Sequence, residues 1–340
     1  MRRILFNKAT RASILIIVLW SLCLLSIFAV YLGYIVRQKM TLAKRLDEKA
    51  SAHFIAEAGV KMSVSVLKAL ALKDCQSLKE PWSSNPDLFK DVNIDGGTYN
   101  VCYNYVDEFT GAEETRYGLI DEERKININK ADRQVVARLF SLLFSFDETQ
   151  ALELAATIED WRDPDSQPVI PFGSAEDPFY TALTHPYGAK NSDIEVLEEL
   201  LLVKGMTKDM FDKIKDYLTV YGSGKVNINT ASKKVLMALG LSPENAEKIL
   251  ACRRGKDGVE GTADDNIFVN PADILPLLSQ SYNLGASDIA QIGAVATQYL
   301  GTKSGFFNIR SQALLANKKH ASNISCIADK SGKILYWNEN

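Results

Sequence analysis

SILIIVLWSLCLLSIFAVYLGYIV, residues 13–36, contains no charged side chain. As one helix it spans roughly 36 Å at ~1.5 Å per residue, enough to cross the hydrocarbon layer of a bilayer. A cleaved secretory signal fits poorly. Such signals carry an apolar region of about 7–15 residues followed by a small-residue cleavage site, whereas this run is longer and ends YLGYIVRQKM. Trp20, Tyr31 and Tyr34 are amphipathic aromatics, and the two tyrosines suit the far interface. Before the run stand Arg2, Arg3, Lys8 and Arg11 with no acid. That basic leader is expected to stay in the cytoplasm, which places the bulk of the chain across the membrane.

From Arg37 to Leu72 there is no proline and one glycine, Gly59. Apolar residues recur at Leu42, Leu46, Ala50, Phe54, Ala58, Met62, Val66 and Leu70, an i,i+4 row that Ile55, Val64 and Leu67 widen to a face. The spacing predicts that the apolar helix continues as one rod whose second half packs on something. Leu46, Phe54, Ala58, Met62 and Val66 are the candidate partner-binding residues.

Residues 73–91 hold two prolines among serines and asparagines and read as a loop. Alternation follows, with Tyr99, Val101, Tyr103 and Tyr105 on one face; strands are expected near 98–107, 115–121 and 125–129. From Lys130 to about Leu300 the pattern changes to short helices near 131–145, 147–160, 193–203, 207–220, 231–239, 242–254, 271–279 and 286–299. Asp147, Thr207 and Ser242-Pro243 supply start signals among them. The segments GFFNIRSQALL, NISCIADK and GKILYWN then return to a β-rich pattern. The fold class is α+β: a long N-terminal membrane-spanning helix on an α/β domain that carries a large, mostly helical insertion. The segments are a basic leader (1–12), a transmembrane helix (13–36), helix and strands (37–129), the inserted helical domain (130–302) and the return strands (303–340).

An internal repeat marks the insertion. Lys125-Ile-Asn-Ile-Asn-Lys-Ala131 echoes Lys225-Val-Asn-Ile-Asn-Thr-Ala231, and asparagines just before a helix are expected to cap it.

Two loops concentrate oxygen ligands. One offers Asp160, Asp163, Asp165, Glu176 and Asp177, the other Asp257, Glu260, Asp264 and Asp265 with several glycines. Neither has the full ligand spacing of an EF-hand, so by spacing alone a calcium site and a solvated acidic loop both stand open.

Formal net charge is −3 with both signs interspersed, which gives no electrostatic footprint for nucleic acid. No catalytic constellation is found. His53, His185 and His320 are far apart, there is no HExxH and no GxSxG, and Gly222-Ser-Gly-Lys225 lacks the other residues of a phosphate loop. Among the five cysteines, Cys23 lies in the apolar run. Cys75 and Cys102 are the first pair to test for a disulfide in an oxidising compartment, although spacing leaves the pairing open.

Motifs along the whole chain carry a family resemblance: AEAGVKMSVSVL (56–67), IEDWRDPDSQP (158–168), GSAEDPFY (173–180), LEELLLVKGM (197–206) and KVNINTASKKVLMALGL (225–241). In this order, behind such a leader and helix, they resemble the K-type minor pseudopilins of bacterial type II secretion systems. The resemblance implies a non-enzymatic, pilin-like subunit that caps the tip of a periplasmic pseudopilus and assists protein export. It implies an inner-membrane anchor, other minor pseudopilins of the tip complex as partners, and calcium in the acidic loops. It also implies cleavage by prepilin peptidase. Ala12 is the small residue expected before the cut, giving a mature chain from Ser13, with Ala9 the fallback; the family usually has glycine there. The fifth mature residue is then Ile17, where major pilins carry a glutamate that K-type subunits lack. A rival reading comes from residues 226–254, which resemble a helix-hairpin-helix unit of membrane-anchored DNA receptors. That unit normally presents closely spaced glycines to phosphate, and here Gly240 is followed by Leu-Ser.

Overall fold

The computed structural model describes residues 8–70, 73–171, 173–316 and 321–339, with side chains from Ile14 onward. The first helix, α1 (Lys8–Leu70), is unbroken. It is long because nothing in the sequence stops it: it contains no proline, and its two glycines fall singly. Its surroundings change along its length. The apolar residues from Ile14 to Val36 are almost wholly exposed, and the first residue buried by the rest of the chain is Ala52.

Beyond α1 come a short helix α2 (Pro86–Phe89) and strands β1 (Val92–Ile94), β2 (Gly97–Val101), β3 (Tyr103–Val106), β4 (Glu113–Arg116), β5 (Ile120–Asp121) and β6 (Ile126–Asn127). Helices α3 (Arg133–Phe144), α4 (Glu148–Arg162), α5 (Asp177–Thr181) and α6 (Lys208–Ile214) follow, then β7 (Leu218–Thr219), β8 (Val226–Asn227), α7 (Lys233–Ala238), α8 (Pro243–Arg253), α9 (Ile274–Ser281) and α10 (Ala286–Tyr299). The chain closes with β9 (Leu300–Gly301), β10 (Phe306–Leu315), β11 (Ala321–Asp329) and β12 (Ile334–Glu339).

The body is an antiparallel sheet in the order β1-β2-β10-β11-β12, with β5 also paired to β10. In β10, Phe307, Ile309, Ser311, Ala313 and Leu315 point inward, the two-residue period of a half-buried strand. The second half of α1 lies on that face and buries Ala52, Ile55, Ala56, Val60, Ser63 and Leu67. Approach is close at Gly59, where a Cβ would stand 2.3 Å from Ser311 Oγ and 2.9 Å from the Tyr99 ring. Trp82, Phe89, Phe307 and Ile309 complete this core.

The head is a second core drawn from Ile126 to Leu300. The chain enters it after β5 and returns at β10, so the helical block interrupts one sheet. The sequence anticipated the longer helices closely. It did not anticipate two parallel pairings, β6 with β7 and β8 with β9. It also predicted a helix at 193–203, where the chain forms a 3₁₀ turn at Leu197–Leu202.

Candidate acidic loops, neck and assembly face

Within the head the repeat is structural as well as sequential. After β6, Asn129 exchanges two hydrogen bonds with the backbone of Ile194, both 2.9 Å; after β8, Asn229 does the same with Phe268, again 2.9 Å each. Arg162, the last residue of α4, donates to the carbonyls of Ile128 and Ala131. Arg253, the last residue of α8, donates to those of Ile228 and Ala231 at 2.9 and 2.8 Å. Each arginine closes one copy of a strand, helix, helix unit, and each is followed directly by an acidic loop. The expected asparagine caps are not formed. Asn127 and Asn227 accept from the backbone of Asn129 and Asn229, and Asp132 and Ser232 occupy the cap positions of α3 and α7.

In the first loop, ligand oxygens of Asp163, Asp165 and Glu176 lie within 4.8 Å of one another. Both Glu176 oxygens and Asp163 Oδ1 are buried without a hydrogen-bond partner among the described residues, as is Oδ2 of the buried Asp160. Buried carboxylate oxygens are rarely left so. The carboxyl of Glu176 is pushed up to about 7, by burial first and then by the charges of Asp160 and Asp163. That of Asp163 rises to about 6 through burial and then Asp165. This donor set is hard, crowded and uncompensated, which fits calcium. Asp177 is not part of the set: its Oδ1 accepts from the Ala189 backbone at 2.7 Å.

The second loop brings Asp257, Asp264 and Asp265 equally close, but its own atoms satisfy them. Asp264 accepts from Thr262 Oγ1 and from the backbone of Lys256 and Asp257, and these bonds hold its carboxyl well below the usual range. Asp265 accepts from Gly261 N at 2.7 Å. Glu260, expected as a ligand here, is turned away. It is 5% exposed, its Oε1 is ion-paired with Arg253, and its Oε2 accepts from the Tyr105 hydroxyl. Arg116 lies over the Tyr105 ring at 3.4 Å and donates to the Glu260 carbonyl at 3.1 Å. Arg254 pairs with Asp107 and covers Phe109 at 4.3 Å. The second loop is thereby latched onto the β3–β4 hairpin.

At the neck, Asp121 Oδ2 accepts from Ser304 Oγ and Thr230 Oγ1, both at 2.6 Å, and from Asn227 Nδ2 at 3.1 Å. Glu123 accepts from the backbone N–H groups of Gly305 and Phe306 at 3.0 and 3.1 Å. Two neighbouring acids therefore tie the outgoing chain to the returning one. Sequence reasoning missed them, together with Arg162 and Arg253. The arginines carried a signal, since each ends the second helix after an Asn-Ile-Asn; the acids carried none.

On α1 the predicted apolar row divides. Ala58, Met62 and Val66 are partly buried against the body core, whereas Leu46 and Phe54 remain 60% and 64% exposed. The face that α1 gives to its own sheet is the adjoining one through Ile55 and Ala56. Residues 1–7 of the leader (1–12) lie outside the described residues, as do the side chains of Ala12 and Ser13. Cys75 and Cys102 do not form the disulfide first in line. Both are free thiols with different neighbours, Cys75 beside Glu80 and Lys73, Cys102 beside Arg310.

Among the described residues, one membrane-length apolar helix, running on as the spine of an antiparallel sheet that is interrupted by a helical head, defines a pilin-like fold and is consistent with a single membrane anchor. Comparison places it further. Residues 109–223 and 226–292 match the two profiles described as type II secretion system protein K. The chain belongs to that family, a structural component of secretion machinery. Type II secretion system protein K of Pseudomonas aeruginosa is 26% identical over 313 residues, covering 89% of this chain and 84% of the relative. The protein of the same name from Aeromonas hydrophila is 30% identical over 149 residues, 42% of this chain and 45% of that relative, so this match spans under half of its length. In fold, the chain is similar to one in the crystal structure of the GspK-GspI-GspJ complex from enterotoxigenic Escherichia coli. That match has a TM-score of 0.65 and 18% identity, and covers 88% of this chain and 99% of the other.

Proposed function

We propose that this minor pseudopilin caps the tip of a periplasmic pseudopilus, anchored in the bacterial inner membrane until it is assembled. The observation that carries the reading is the pairing of an exposed apolar row on α1 with a head of residues 126–300 set on the body. The row suits side-by-side packing with the helices of other minor pseudopilins, the kind of partner present in the solved Escherichia coli complex. A head of that size leaves no evident seat for a further subunit above. Prepilin peptidase is expected to cut after Ala12, and the mature mass with and without the peptidase tests that step. An uncut leader overturns the pilin-like processing.

Assembly is tested on the helix. Replacing Phe54 and Met62 with glutamate places two charges in a packed interface, where unpaired charge is costly. Affinity for partner minor pseudopilins is expected to fall about tenfold or more, with little change in fold at the exposed Phe54. Unchanged co-purification of Phe54→Glu overturns the assignment of this face.

Calcium is proposed for the first acidic loop, held by Asp163, Asp165 and Glu176 with Asp160 behind them. There it would neutralise crowded carboxylates and fix the loop. Added calcium is expected to raise the thermal midpoint, and Glu176→Gln to weaken calcium binding about tenfold while Asp257→Asn leaves most of it. The reverse ranking transfers the site to the second loop.

A further inference from the structure

Between the apolar run and the body, α1 stands alone from Arg37 to Ala50, roughly 20 Å at ~1.5 Å per residue, and its side chains there are exposed apart from the partly covered Glu48. This stretch, RQKMTLAKRLDEKA, carries Arg37, Lys39, Lys44, Arg45 and Lys49 against Asp47 and Glu48. The recorded ion pair on it, Lys44 to Glu48, is a long 3.8 Å contact at the surface, which contributes little. At about 100° per residue, Arg37, Lys44, Arg45 and Lys49 share an arc of roughly 140° that also holds Glu48, with Leu42 about 20° and Leu46 about 60° beyond its edge.

The cations do not serve to orient the span. The leader carries four basic residues and this collar five, so the collar works against the asymmetry that keeps the leader inside. Nor do they stabilise the body, which begins beyond them. They do lie within the first few helical turns past Val36, where Gln38 bonds the Tyr34 hydroxyl at 2.7 Å. Arg37 and Lys39 stand within about 5 Å of Val36 along the axis, where long basic side chains reach the headgroup layer. Lys44, Arg45 and Lys49, about 12–20 Å out, extend toward it within the field of an anionic surface.

We infer that this collar docks on anionic phospholipid headgroups of the leaflet from which α1 emerges, giving the subunit a second hold on the membrane. Two features of the molecule favour lipid over a protein partner: continuity with the apolar span, and a net-positive arc, four cations to the one acid Glu48, beside, rather than on, the Leu42–Leu46 row. The same packed α1 row therefore stays available while the collar is engaged, and leaving the bilayer requires releasing both contacts. The inference rests on α1 crossing the membrane.

The test uses the full chain in neutral detergent, with native mass spectrometry against phosphatidylglycerol and phosphatidylcholine of the same acyl chains. Basic residues near an anionic surface each favour it roughly fivefold, so phosphatidylglycerol is expected to bind at least tenfold better. The preference is expected to disappear in R37Q/K44Q/R45Q/K49Q and to persist in R2Q/R3Q/K8Q/R11Q. Equal binding of the two lipids, or a preference that follows the leader variant instead, overturns the proposal. So does a collar variant that keeps the lipid preference and loses partner pseudopilins, which assigns the arc to an acidic protein face. Alkaline washing of membranes separates the premise: both wild type and collar variant should stay in the pellet, and release of the wild type overturns the membrane span itself.

Discussion

Glu260→Ala is expected to cost about 3–5 kcal/mol of stability, the range seen when one member of a buried ion pair is removed. Glu260 and Arg253 are 5% and 4% exposed. Without the carboxylate, the Arg253 guanidinium keeps its carbonyl contacts to Ile228 and Ala231 but loses its counter-charge, and the Tyr105 hydroxyl loses its acceptor. Burial alone would raise the Glu260 carboxyl. The charge of Arg253 and the bonds from Tyr105 and Arg253 outweigh burial and hold it below its ordinary value. A depressed folded pKa contributes stability above the unfolded value near pH 4 and loses it as pH falls through the folded one. The wild type should therefore lose this contribution in acid, and the variant should not. Urea unfolding followed by tryptophan fluorescence measures both effects. A loss under about 1 kcal/mol would sink the account. A double variant, Arg253→Met with Glu260→Leu, should recover most of the stability, because removing both charges leaves no unpaired one.

The latch also shows where sequence reading reaches its end. The membrane-length run was legible because length and absence of charge are local properties. So were α4 and α8, whose caps Asp147 and Ser242 each accept from a backbone N–H as their positions predict. Glu260 sits in a carboxylate-dense loop and reads as a ligand, yet Tyr105, 155 residues away, takes one of its oxygens. Asn129 and Asn229 read as caps, yet Ile194 and Phe268 receive them. The two apolar faces of α1 differ only in what covers them: the protein's own sheet covers one, whereas the other is partly covered at Ala58, Met62 and Val66 and left exposed by the described residues at Leu46 and Phe54. In each case the deciding partner is remote in sequence. The parallel pairings β6–β7 and β8–β9 are hidden for a related reason: two residues are too few to show a strand period.

Asp121→Ala, at the neck, is expected to cost about 2–3 kcal/mol near neutral pH and to change the pH dependence in the opposite sense from Glu260. The loss comes from donors left facing a void: the Glu123 N–H, which bonds Asp121 Oδ1 at 2.8 Å, and the Thr230 and Ser304 hydroxyls. Part is offset, since the variant no longer buries that charge. Asp121 is raised above its ordinary value because burial outweighs its hydrogen bonds, and Glu123 is raised by burial first and then by the charge of Asp121. With raised folded values, the native state holds more protons than the unfolded chain from about pH 4 upward. Stability should therefore fall as pH rises through the folded values, and the slope should flatten in Asp121→Ala, which also removes the charge acting on Glu123. Lys330 opposes this in alkali: burial lowers it, so its contribution improves as pH rises past its folded value. Unfolding measured at intervals between pH 5 and 8, on wild type and variant together, decides the matter. A wild type that gains stability across that interval, or a variant with the same slope, removes the two acids as the source. Because they bind the outgoing chain at β5 to the returning one at Ser304, Gly305 and Phe306, the variant should also loosen the head from the body. Faster amide exchange at Gly305 and Phe306, with the interior of β11 unchanged, is the signature expected of a neck held by these two carboxylates.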